Sequence, residues 1–224
     1  MGSFRLHRGF SLTELIVVLG IIGMLSLIVL TSQNTFNKTI TLVNTAYDIA
    51  LSFRSAQTYG LGSRVTASGI ANTPYGVHFD SGTNNSYIFF ADVSPLGSTG
   101  TANCLNSSSD RPDCQPGDYV YSSGSDERTR QYSIQNTIYI HDFCAYTLAA
   151  WTCRSGGGLT SLDIVFGRPD PDPFISKNGV YTAPPNHSTQ ACIVLASANA
   201  PTGPYRYIKV LQTGEITVNA TPCP

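Results

Sequence analysis

Glu14 is the only charged residue between Phe10 and Leu30, in the run FSLTELIVVLGIIGMLSLIVL. A carboxylate within an apolar membrane helix costs a few kcal/mol and calls for a partner. Gly9 is the small residue at the near edge of that run. Cutting the chain after Gly9 would leave Phe10 as a new terminus with a cationic amine, one helical turn from Glu14. Three arrangements are then open. Glu14 pairs with its own amine; or it pairs with the amine of a neighbouring copy, so that assembly neutralises an embedded charge and sets subunit register; or it snorkels to the interface of a plain membrane anchor.

The run of 21 residues is long enough to span a bilayer as a helix. Arg5 and Arg8 precede it, which places residues 1–9 on the cytoplasmic side and the remainder outside. An ordinary secretory signal has a shorter apolar core with small residues at its far end. Leu30-Thr31-Ser32-Gln33 supplies no such site.

Cys104, Cys114, Cys144, Cys153, Cys192 and Cys223 all lie in the C-terminal half, without a C-x-x-C pair or zinc-type histidine spacing. An even set of this kind reads as disulfides formed in an oxidising compartment. Sequence proximity suggests Cys104–Cys114 and Cys144–Cys153, leaving Cys192–Cys223; free core thiols are the alternative.

Other chemistry is thin. Asp163, Asp170 and Asp172 fall near one loop, and Asp110, Asp113 and Asp118 near another. Their spacing matches no calcium loop, so solvated acidic loops are expected and no metal or cofactor. His141 adjoins Asp142, but no nucleophile or hydrolase motif accompanies them or His7, His78 and His187. The chain is therefore read as a non-enzyme. Arg128 and Arg130, with Arg111 in the neighbouring loop, form a small basic group. The net charge of −1 leaves no basic field for nucleic acid, which is not an expected partner. Loss of residues 1–9 would leave 11 basic against 14 acidic residues. Charged residues make up 12% of the chain, about half the usual share, as in secreted and surface proteins.

The string Gly9-Phe10-Ser11-Leu12-Thr13-Glu14-Leu15 and the apolar run behind it resemble the class III signal of type IV pilins and type II secretion pseudopilins. The resemblance covers roughly residues 5–35. It implies that a prepilin peptidase and methyltransferase cuts after Gly9 and N-methylates Phe10, that Glu14 supports methylation and assembly, and that the partners are the membrane and other pilin or pseudopilin subunits. Thr31 stands where many major pilins carry proline. Gly20 and Gly23 inside the span weaken a helix or ease close packing.

The elements that must carry these residues follow from periodicity. Phe36, Ile40, Val43, Tyr47, Ala50 and Phe53 recur at spacings of three and four, and no proline occurs before Pro74. One helix is expected from about 10 to 58, ending near Gly60 and Gly62. Short strands are expected over 65–68, 75–80, 87–92, 131–140, 162–167, 191–197, 205–211 and 215–218, with the last two closing as a hairpin across Gln212-Thr213-Gly214. Residues 94–125 and 168–185 read as loop insertions. The expected organisation is a leader over 1–9, a transmembrane helix over 10–30, an amphipathic stem over 31–62 and a β-rich extracytoplasmic domain over 63–224. The fold class is α+β, a long helix packed on an antiparallel sheet or sandwich.

The stem phrase Ala46-Tyr-Asp-Ile-Ala-Leu-Ser-Phe-Arg-Ser-Ala and the strand Tyr75-Gly-Val-His-Phe resemble the minor pseudopilin H and FimT-like branch, which implies a long helix with two β-sheets. The functional expectation is a filament subunit. Alternatives are a surface minor pilin for adhesion or DNA uptake, and a membrane-anchored enzyme or carbohydrate-binding module, for which Tyr119, Tyr121 and Trp151 would have to line a pocket.

Overall fold

The computed structural model describes residues 11–62, 64–67, 69–70, 72–93, 117–124, 127–134, 137–148, 150–198, 203–219 and 221–223. The chain forms two compact units, residues 1–40 and 41–224. Helix α1 runs over Leu12–Leu61 and belongs to both. Ser11 caps it, its Oγ accepting from the Glu14 backbone N–H at 3.2 Å. Ser11-x-x-Glu14 is a capping-box pattern, and the acidic side chain in the first turn favours the positive end of the helix dipole. At the other end Gly62 N–H closes on the Thr58 carbonyl at 3.0 Å.

The second unit holds the core. Leu42, Ala46, Ile49, Phe53 and Ala56 on α1 are buried at spacings of three and four. Of the stripe expected from the sequence, Ala50 and Phe53 are buried, whereas Ile40 and Tyr47 are exposed, so the buried face is rotated from the one expected. The buried residues join one apolar core with the inner faces of two five-stranded sheets. The first sheet is built from β1 (Tyr75–Asp80), β2 (Ser86–Ala91), β3 (Glu127–Ser133), β6 (Ser161–Phe166) and β7 (Pro173–Lys177), in the order β3-β2-β1-β6-β7. The second contains β4 (Ile138–Thr147), β5 (Ala150–Cys153), β8 (Ser188–Ser197), β9 (Arg206–Leu211) and β10 (Ile216–Asn219), in the order β10-β9-β8-β4-β5. Neighbouring strands are antiparallel throughout both sheets. Val77, Phe79 and Ile164 meet Phe143, Ile193 and Ile208 across this core. Fully burying one such side chain stabilises by about 1.5–3 kcal/mol. Gly60 lies against the backbone of Phe166, where any Cβ would overlap the carbonyl, so the last helical turn can approach the sheet only as glycine. This is a pilin-like α+β fold, with a long apolar N-terminal helix whose second half packs on antiparallel sheet.

The structure differs from the expected strands in four places. Of the strand expected over 65–68, residues 65–67 form none, because Thr66 closes a local turn, and residue 68 lies outside the described residues. The Thr66 hydroxyl and carbonyl accept from the N–H groups of Ile70 and Gly69, respectively. The run 131–140 is two strands in different sheets, β3 and β4; apolar alternation carries no mark of a change of sheet. Strand β5 is short and was not expected; it is joined to β4 by the Cys144–Cys153 bond. The segment 168–185 contains β7, which lies at a sheet edge and starts at Pro173. Edge and first positions are where proline costs no ladder bond. The closing hairpin β9–β10 forms as expected.

Candidate functional site

The N-terminal element comes first. Leu12–Leu30 is a helix of 19 residues with mean hydropathy 2.5, long and apolar enough to cross a membrane. Its large side chains are exposed along the whole stretch, as a lipid-facing or subunit-facing surface requires. Gly9 and Phe10 lie outside the described residues. Glu14 is exposed at the third helical position, and its carboxylate makes no hydrogen bond or ion pair among the described residues. Gly20 and Gly23 face open space, where an added Cβ would meet nothing within 4 Å.

Four cysteines meet on the outer face of the second sheet. Cys144 is bonded to Cys153 and Cys192 to Cys223. Cys144 stands opposite both Cys153 and Cys192 in the strand register, so the two bridges lie side by side among Val194, Trp151 and Tyr205. Cys104 and Cys114 lie outside the described residues. The bridges close loops of sequence separation 9 and 31. On loop entropy they stabilise by about 3 and about 4 kcal/mol, respectively. The paired substitution Cys192→Ala with Cys223→Ala is therefore expected to lower stability by about 1 kcal/mol more than Cys144→Ala with Cys153→Ala. Thermal unfolding of the two double variants without reductant checks the order.

The structure disperses the remaining sequence candidates. Asp142, Cys144 and Cys153 bring potential ligand atoms within 4.8 Å of one another, but the sulfurs are spent in a disulfide. Asp142 is buried and accepts from the backbone N–H of Phe143 at 2.8 Å and of Ser155 at 3.1 Å, pinning the turn after β5. Its neighbour His141 packs on the ring of Tyr205. Asp170 and Asp172 border a small cavity with His187, away from Asp163, which is paired within the first sheet. Arg130 lies over the Tyr132 ring, and Arg111 falls outside the described residues. Asp110 and Asp113 fall there too, while the Asp118 carboxylate accepts from Val120 N–H. Trp151 packs on Tyr146.

The outer face of the first sheet has two halves. Phe90, Val165 and Phe174 form an apolar half, covered by Tyr119 and Tyr181. Gly76 sits among them because a Cβ there would collide with Phe90 and Val165. Residues 117–124 cross this face, held by the buried carboxylate of Asp92. Its oxygens accept from the backbone N–H groups of Asp118 at 3.1 Å and Tyr119 at 2.6 Å. The Ser176 hydroxyl donates to the Tyr119 carbonyl at 2.6 Å, and the Tyr119 ring stacks on Phe174 with centroids 3.6 Å apart. These contacts hold Tyr119 at φ 67°, a left-handed conformation costly for a bulky residue.

The other half is polar. His78 Nδ1 and Asp163 Oδ1 are hydrogen-bonded at 2.6 Å on adjacent strands β1 and β6. Asp163 is fully buried, and burial pushes its carboxyl above the usual range, against the opposing pull of His78 and of the Tyr121 backbone. The ring of Tyr121 lies 4.7 Å from that of His78. Beside them opens a cleft of about 570 Å³. Of the aromatic residues singled out in the sequence, Tyr121 borders this cleft, whereas Tyr119 borders the smaller cavity beside Arg168 and Pro169. On the inner face of the same sheet Tyr87 shares a 2.9 Å hydrogen bond with Ser52 of α1, and burial pushes its hydroxyl up to about 12.

Neither His78–Asp163 nor Asp92 was recognised in the sequence. The available signal was a polar residue in an otherwise apolar strand, as in Tyr75-Gly-Val-His-Phe and Leu162-Asp-Ile-Val-Phe. Such a residue needs a partner, but the partner's identity is set by strand register.

Residues 4–30 match the prokaryotic N-terminal methylation motif. No curated protein and no solved structure matches the chain. The N-terminus is thus a prepilin-like methylation signal, of the kind carried by pilin-superfamily membrane proteins, joined to a pilin-like fold.

Proposed function

We propose that this chain is a minor pilin or pseudopilin of the pseudopilin H and FimT-like branch, a structural subunit of a type II secretion or type IV pilus filament. The observation that carries the reading is the methylation motif over residues 4–30 on a helix suited to span a membrane. Residues 1–9 are the leader removed by the prepilin peptidase, residues 10–30 the membrane and filament-core helix, 31–62 the stem and 63–224 the domain outside the cytoplasmic membrane. Phe10 is N-methylated, and Glu14 pairs with the Phe10 amine of a neighbouring subunit. The single helix followed by two sheets supports the branch, and the disulfides support an oxidising compartment.

Intact mass and N-terminal sequencing of the membrane-extracted protein, co-expressed with its peptidase, test this. The expected chain begins at Phe10 and is about 14 Da heavier than the cleaved mass, from one methyl group. A chain still beginning at Met1 beside an active peptidase reduces the segment to a membrane anchor.

A further inference from the structure

The polar half of the first sheet's outer face has no part in processing or in the helix. Strand alternation puts Val77 and Phe79 into the core and leaves His78 and Asp80 on the outer side. Ser86 from β2 and Ser161 from β6 join them at the cleft, and the turns at Thr83 and Asn178 close its rim. The volume of about 570 Å³ falls within the range of small-ligand sites, about 300–1,000 Å³.

The chemistry of the walls narrows the ligand. Hydroxyl and amide side chains dominate, and among the described residues neither Lys nor Arg lines the cleft. Asp80 is on its rim, with Asp163 behind His78 and Asp118 near enough to act on Asp163 electrostatically. The local field is negative, so phosphate, sulfate and carboxylate ligands are disfavoured. The hydroxyls of Ser81, Thr83 and Ser161 make no hydrogen bond among the described residues, nor does His78 Nε2. With Nδ1 engaged by Asp163, the orientation of the imidazole is set and Nε2 is the atom left for a ligand. Tyr121 supplies a ring held in place by Phe90 and His78, with centroids 5.1 and 4.7 Å away, respectively. Uncharged hydrogen-bonding groups, one aromatic ring and no cation suit a ligand with many hydroxyls and an apolar ring face.

We infer that the cleft bordered by His78, Asp80, Ser161 and Tyr121 binds a neutral saccharide, one or two sugar rings in size. The sugar hydroxyls meet His78 Nε2 and the serine and threonine hydroxyls, and one sugar face lies on Tyr121. The site depends on the second unit alone and stands apart from the N-terminal processing reading.

The test uses the full chain in a detergent without a sugar headgroup, with nitrogen-labelled histidine. Neutral mono- and disaccharides of glucose, galactose, mannose and N-acetylglucosamine are titrated to about 10 mM, and the His78 ring signals are followed by NMR. At least one neutral sugar is expected to shift these signals saturably, while sialic acid leaves them in place. Tyr121→Ala is expected to weaken binding at least about tenfold, as is Ser161→Leu, which fills the cleft from a half-buried strand position. The proposal is overturned if no neutral sugar in the set moves the His78 signals, or if sialic acid binds better than the neutral sugars. It is equally overturned if both variants fold and bind as tightly as the wild type.

Discussion

Glu14→Ala is expected to leave the chain cleaved and in the membrane but to remove it from assembled filaments, with recovery in the sheared-filament fraction falling about a hundredfold. The magnitude follows from the cost of an unpaired charge in the hydrocarbon region, about 2.5–3.5 kcal/mol, and the tenfold change in an equilibrium per 1.4 kcal/mol. In the proposed cleaved form the Phe10 amine would need a counter-charge, and Glu14 is the sole carboxylate in the apolar run. Ser11 raises a competing account, because its Oγ accepts from Glu14 N–H and the two residues have capping-box spacing. Glu14→Gln separates the two. Glutamine serves a capping box as well as glutamate but brings no charge. It is expected to fail as alanine does; filament recovery at wild-type level in Glu14→Gln would leave Glu14 as a helix cap and discard charge pairing.

A large stability loss in the second unit is expected for His78→Ala. Removing one partner of a buried pair leaves the other uncompensated, at a typical cost of about 3–5 kcal/mol. For a chain of this size that lowers the thermal midpoint by on the order of 10 °C. The loss depends on pH. In the folded protein burial raises the Asp163 carboxyl above its unfolded value of about 3.9, with Asp118 adding to the rise. The folded state therefore holds this proton more tightly than the unfolded chain. The resulting stabilisation is complete below the unfolded value and is lost as pH rises through the folded one. His78 and the Tyr121 backbone offset part of that loss by stabilising the ionised form. Without His78 the offset shrinks, so the gap between variant and wild type is expected to be wider near pH 7 than near pH 4. Adding Asp163→Asn removes the titrating group and should flatten the difference. Calorimetry of the full chain in detergent at both pH values checks this; a variant melting within about 2 °C of wild type at each would show that the pair is not a buried liability.

The legibility of the chain follows the range of the interactions involved. The match to a methylation motif over residues 4–30 was legible because such a motif is a local string of residues, independent of how the domain folds. The helix was legible over its full length, since its periodicity and lack of proline are local properties; its observed end at Leu61 lies three residues beyond the expected one. Strands β1, β2, β6, β8, β9 and β10 were visible as apolar runs between turn residues. Strand β7 was hidden inside a proline-rich segment, and β5 was too short to show a period.

By itself the sequence determined the membrane-length helix, the prepilin-like signal around Gly9, the continuation of the helix into the stem and the α+β class. Each depends on spacing along the chain, and spacing survives in one dimension. The tertiary structure alone decided that residues 131–140 divide between two sheets, that Asp163 belongs with His78 and not with Asp170 and Asp172, and that Asp92 holds Tyr119 in place from 27 residues away. The physical reason is register. Which side chains meet across a sheet is set by the pairing of strands far apart in sequence, and a slip of one residue would have turned His78 into the core and left Asp163 without its partner.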